Sequence, residues 1–187
     1  MAPHYLLVCL VLVLTACGSG NTARFLVEPP IAEKKVRLPV SSIEVREIVL
    51  PAYAASPEIV AENADGSVRN VPDSLWADDP AKGLTSALAR SLDLGSTASV
   101  AAEPWPLDTP ANAQLDVRVD RILARADGRF ELSGQFAIYS REGVIGESLT
   151  RFDIQVPFQS NEPRDVAATT GIAIAELAKQ VLARLAR

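Results

Sequence analysis

Side chains able to make or break covalent bonds are scarce in this chain. It holds one histidine, His4, and two cysteines, Cys9 and Cys17. Beyond Cys17 there is neither a histidine nor a second thiol. That excludes Ser-His-Asp and Cys-His nucleophile pairs, and every zinc site that uses histidine, from the rest of the chain. Paired carboxylates could still serve glycoside hydrolysis. Asp78 and Asp79, however, are adjacent and precede Pro80, which is the pattern of a helix start. No Gly-rich phosphate loop with its lysine is present. No catalytic residue, no metal site and no diffusible cofactor are therefore expected.

The one cysteine with a telling position is Cys17. It follows Tyr5 to Thr15 (YLLVCLVLVLT), an uncharged apolar run that holds Cys9 and stops at Ala16-Cys17-Gly18-Ser19-Gly20. A membrane-crossing helix needs about 20 apolar residues, whereas this length and its small-residue end suit a secretory signal peptide. Leu14-Thr15-Ala16-Cys17 resembles the lipobox of bacterial lipoproteins, which implies cleavage before Cys17 and acylation (palmitate-type chains) of that cysteine. The expected division is a signal peptide over 1–16, a flexible tether over 17–23 and one domain over 24–187. One acyl chain anchors only reversibly at about 0.8 kcal/mol per buried methylene, and the three chains typical of such proteins anchor permanently. With Cys9 removed and Cys17 acylated, no intramolecular disulfide can form.

The excised segment has no Asp, Glu, Lys or Arg, so the net charge of −5 belongs to the mature part. An acidic chain without a Lys/Arg cluster argues against nucleic-acid binding and against electrostatic docking on anionic lipid. The membrane is then reached through the anchor.

The elements that must carry any site follow from periodicity. A short strand is expected at Arg24-Phe25-Leu26-Val27, stopped by Pro29-Pro30, and another over Ser42 to Leu50, with its alternation broken at Glu47-Ile48. Ile59-Val60 begins a further apolar piece, and Asp65-Gly66 suits a hairpin turn. From Asp78 or Asp79 as cap, Leu84, Leu88 and Leu92 mark one helix face, and Gly95 ends it. Val100 to Asn112, with three prolines, reads as loop or edge strand. Three strands follow, marked by Leu115, Val117 and Val119, then Phe130, Leu132, Phe136 and Ile138, then Phe152, Ile154 and Val156. Asp127-Gly128 and Glu142-Gly143 are the turns between them. A last helix over about Asp165 to Ala186 carries Ile174, Leu177, Val181 and Leu185 on one stripe. It could bind a partner, but the apolar face of the sheet needs a cover, and packing there is the preferred reading. The expected fold is α+β: an antiparallel sheet, built on a meander, with two helices packed on one face.

Taken in order, the lipobox, the Phe25-Leu26 strand start, Ile48-Val49-Leu50-Pro51-Ala52-Tyr53, Leu75-Trp76-Ala77-Asp78, the meander and the Ala/Leu-rich last helix resemble the ABC-type transport auxiliary lipoproteins, the PqiC-like family. The resemblance spans nearly the whole mature chain. It implies a non-catalytic, membrane-anchored periplasmic component of an intermembrane lipid transport system, whose partner is an MCE-domain periplasmic protein. Gly18 after the acylated cysteine fits sorting to the outer membrane, facing the periplasm, rather than retention in the inner one. Two other classes stay open: a lipid carrier with an underfilled core, and a scaffold or activator of lipopolysaccharide export or cell-wall synthesis. A homo-oligomer also stays open.

For partner binding the residues singled out are Pro51, Tyr53 and Trp76. An aromatic after a strand-ending Leu-Pro and another before a helix cap could sit at one end of the sheet, and aromatics dominate interface hot spots. The competing reading makes Trp76 a staple against the helix it precedes.

Overall fold

Alternating apolar residues build the centre of the domain. A computed structural model describes residues 22–140, 143–158 and 160–186; Cys17, the signal segment, most of the tether and Glu142 lie outside them. The elements are β1 (Ala23–Phe25), β2 (Ser42–Val45), a 3-10 turn (Ala52–Ala54), β3 (Glu58–Glu62), β4 (Val68–Trp76), α1 (Pro80–Gly95), β5 (Ser99–Ala102), β6 (Ala113–Ala124), β7 (Arg129–Tyr139), β8 (Ser148–Pro157) and α2 (Pro163–Leu185). β6, β7 and β8 form the antiparallel meander. On β7, Phe130, Leu132, Phe136 and Ile138 are buried. Glu131, Ser133 and Gln135 lie on the other, more open face.

The α+β class with two helices holds, and the sheet is mixed. Its eight strands include parallel pairs at β1–β4, β2–β5, β2–β6 and β3–β6. Among the described residues, only the meander and the β3–β4 hairpin are antiparallel. Side-chain alternation reports which face a residue takes, not the direction of its neighbour. The expected strand over Ser42–Leu50 ends at Val45. Its backbone leaves the ladder at the anticipated break, where the Ile48 N–H donates to Thr85 Oγ1 on α1 at 2.9 Å. It returns at Val49, whose N–H donates to the Val117 carbonyl at 3.0 Å.

β6 changes phase midway. Its register against β7 slips between Val119 and Arg121, so burial passes from the odd positions Leu115, Val117 and Val119 to Ile122 and Ala124. Gly134 of β7 makes room for this bulge: a Cβ there would stand 2.2 Å from the Arg118 carbonyl oxygen. The hairpin turns use glycines with positive φ, Gly66 (79°) and Gly128 (82°), a conformation glycine adopts without steric penalty.

Both helices cover the apolar face. Asp79 caps α1 by accepting from the Lys82 N–H at 3.1 Å, with Pro80 at its start. Leu84, Leu88 and Leu92 are buried, as are Ile174, Leu177, Val181 and Leu185 of α2. α2 is long and apolar enough to cross a membrane, but 67% of that stretch is buried inside the fold, as befits a core helix.

Candidate functional site

The sheet forks on one side of β6. β2 pairs with its first residues, up to Leu115, and β3 meets it only at Ala124. Between these arms the outer edge is met by the single bridge of Val49 at Arg118. Beyond it, among the described residues, no strand covers the edge, and Tyr53 fills part of the gap. Its hydroxyl accepts from the Ile122 N–H at 3.1 Å and lies 3.3 Å from the Ile122 carbonyl, to which it donates. One phenol thus replaces both hydrogen bonds of a missing strand neighbour. Pro51 starts the 3-10 turn that aims Tyr53, its carbonyl accepting from the Ala54 N–H at 2.9 Å. Half-burial pushes the Tyr53 phenol up from its ordinary pKa, against smaller opposing effects of the Ile122 hydrogen bond and Arg121.

Past the fork, the last residues of β6 floor an apolar groove of about 420 Å³. α1 forms one wall, with Gly83, Leu84, Ala87 and Leu94 facing in, and Val166 and Thr170 of α2 contribute from the other helix. The remaining wall is the chain itself: after β1, residues 25–32 run past the opening as a strap. Backbone close approach holds this strap to α2, because a Cβ on Gly171 would lie 2.6 Å from the Glu28 carbonyl oxygen. Leu26 and Ile31 on the strap are 62% and 71% exposed, so the rim is apolar as well as the interior.

Trp76 belongs to this groove. It ends β4 opposite Phe25 of β1, is half-buried against the core and lines the void. Its backbone N–H donates to the Pro57 carbonyl at 2.8 Å. Tyr53 and Trp76 are therefore gathered around one stretch, Ile122–Ala124, with Tyr53 bonded to its edge and Trp76 in the groove above it. Pro51 serves the turn and does not line the groove. The strap is a wall that sequence reasoning missed; its signal, Leu26-Val27 and Ile31 around two prolines, reads as a strand end followed by linker.

Beside the groove, charged residues lock the β6–β7 hairpin to β3. Arg125 Nε lies 2.7 Å from Glu62 Oε2 and its NH1 lies 3.0 Å from Glu131 Oε2, while Arg121 holds the other Glu131 oxygen at 3.1 Å. The hydrogen bond that Arg125 donates to Glu62 is the main cause of the raised Arg125 pKa. Among the described residues no group of three or more His, Cys, Asp or Glu side chains converges as a metal site would require.

The fold and groove define a single α+β domain that presents an apolar cleft beside β1 and the strap that follows it. Residues 26–182 match the family described as the ABC-type transport auxiliary lipoprotein component, and the chain belongs to that family, whose lipoprotein nature places it in the cell envelope. The match runs from the first residues of the strap into α2 and so includes every wall of the groove. A solved structure of an uncharacterized protein resembles 81% of this chain over 99% of its own length, with a TM-score of 0.65 and 19% identity. A protein from Xanthomonas campestris resembles 84% of the chain over 89% of its length, with a TM-score of 0.59 and 15% identity. At these identities the likeness is one of fold. No curated protein sequence matches the chain.

Proposed function

We propose that this protein is a non-catalytic auxiliary subunit of an MCE/ABC-type system that moves lipid between the two membranes, acylated at Cys17 and held in the outer membrane facing the periplasm. The observation that carries the reading is the family match over residues 26–182. The sequence supports it: beyond Cys17 there is no histidine and no second thiol. Tyr53 and Gly134, whose geometry is unusual, serve the sheet rather than a reaction. The work left to an anchored chain of this kind is docking, and the partner is an MCE-domain periplasmic protein. The contact is centred on the groove end of the domain near Trp76, with Tyr53 and Pro51 behind it.

The test has two arms. Cys17→Ser should yield a folded protein that no longer sediments with membranes, and continued sedimentation after confirmed signal cleavage would remove the anchor. The wild-type protein, cross-linked in its own envelope, should bring down an MCE-domain protein. Recovery instead of a cell-wall synthase or a lipopolysaccharide-export component would replace the transport role by a scaffold one.

A further inference from the structure

We propose that the groove between α1, α2, the end of β6 and the strap is a binding site for one acyl chain of a membrane phospholipid, with the phosphate of its head group held by Arg90. Protein interiors rarely leave voids much larger than a water molecule. A space of about 420 Å³ lies instead in the size range of ligand sites. A methylene takes close to the share of liquid volume of one water, roughly 30 Å³, so about 14 carbons of one extended chain fit and two chains do not.

The chemistry of the walls selects the same occupant. The interior is aliphatic and aromatic, with Leu84, Leu94, Leu123 and Phe130 around the void. Among the lining residues Arg90 is the one cation, it is exposed, and it makes no ion pair among the described residues. Three carboxylates also line the groove: Asp78 accepts from the Asp79 N–H and Asp79 from the Lys82 N–H at the start of α1, and Glu28 stands on the strap. An unpaired guanidinium beside an apolar slot matches a phosphate beside an acyl chain.

Position supplies the source of the lipid, given the anchor at Cys17. The described chain begins at Thr22, five positions beyond Cys17, a stretch that spans at most about 18 Å when extended. The strap follows at once, so the mouth of the groove stays within reach of the bilayer that holds the anchor. The exposed Leu26 and Ile31 on the strap give an incoming chain an apolar path.

The site is separable from the partner docking proposed above, because a domain that meets no MCE protein can still hold a chain, and the experiment uses no partner. The full-length acylated protein is reconstituted in phosphatidylethanolamine/phosphatidylglycerol vesicles that contain a trace of phosphatidylglycerol with a photoactivatable group in one acyl chain. After irradiation, adducts are mapped by mass spectrometry. They are expected on α1 residues facing the groove and on Ile122–Ala124. Gly83→Phe should block them: Gly83 lines the groove, and a Cβ there meets only the Asp78 Cβ at 3.7 Å. Labelling should fall about tenfold or more, since a phenyl group displaces several methylenes and about two of them correspond to a tenfold change. The melting temperature should stay at or above that of the wild type, because glycine is a poor helix residue. Ser86→Trp, an exposed lining position, blocks the groove by a second route should Gly83→Phe not fold. Arg90→Glu should lower labelling while leaving melting unchanged. Equal labelling of the groove in wild type and both blocked variants would overturn the proposal. So would labelling that becomes detectable only in Cys17→Ser, since the protein's own anchor chain would then be the native occupant.

Discussion

Tyr53→Phe removes one oxygen atom and leaves both backbone groups of Ile122 facing an edge of β6 that no strand covers. A hydrogen bond within a protein contributes about 0.5–1.5 kcal/mol net, and a buried group left without a partner costs about 1–3 kcal/mol. Tyr53 is half-buried, so water can reach part of the gap, and the lower half of that range applies: about 1–2 kcal/mol in total. For a domain of this size each kcal/mol corresponds to about 2–4 °C in melting temperature. Thermal unfolding of the purified Tyr53→Phe protein should therefore show a loss of about 2–8 °C, with secondary structure intact at room temperature. An unchanged melting temperature would refute the idea that the phenol stands in for a strand. An unchanged melting temperature with lost partner capture would make Tyr53 an interface residue instead.

Three further outcomes follow from the same geometry. The raised Tyr53 pKa means that above the ordinary tyrosine value of about 10 the unfolded chain releases its phenolic proton before the folded one does. Stability from this group is thus intact below about pH 10 and lost as pH rises through the folded pKa, and Tyr53→Phe should flatten that alkaline slope in urea titrations between about pH 9 and 11. Gly134→Ala places a Cβ 2.2 Å from the Arg118 carbonyl oxygen; the strands must part, at a cost of about 1–3 kcal/mol or more, read as a lower urea midpoint. Trp76→Ala should cost about 2 kcal/mol of stability, less than the roughly 3–5 kcal/mol of a fully buried aromatic, because Trp76 is half-buried. If Trp76 is also an interface anchor, affinity for the partner should fall by about 2 kcal/mol beyond that.

The parts of the fold legible in the sequence are those whose cause is local. Asp79-Pro80 followed by leucines four apart locates α1 because cap, first turn and apolar stripe all lie within one helix. Phe130, Leu132, Phe136 and Ile138 locate β7 for the same reason. What stayed hidden depends on distant neighbours. The bulge near Asp120 requires Gly134 across the ladder, and the work of Tyr53 requires Ile122, 69 residues away. Leu50-Pro51-Ala52-Tyr53 stands out as a motif, but nothing within it tells a strand substitute from a docking aromatic. Strand direction in the β1, β2 and β5 pairings was equally silent, since a period of two is the same in parallel and antiparallel neighbours. The groove was the least legible, because a strap with two prolines acquires a role only when Gly171 lets its backbone press on α2.

The measurement closest to the central claim is site-specific photo-cross-linking in living cells from Asp78, exposed on the groove side next to Trp76, compared with Arg151 on the wet face of β8. A photoreactive residue at Asp78 should capture an MCE-domain periplasmic protein, and one at Arg151 should capture it weakly or not at all. Capture from both positions of a different envelope machine, or of no MCE-domain protein from either, would contradict the account.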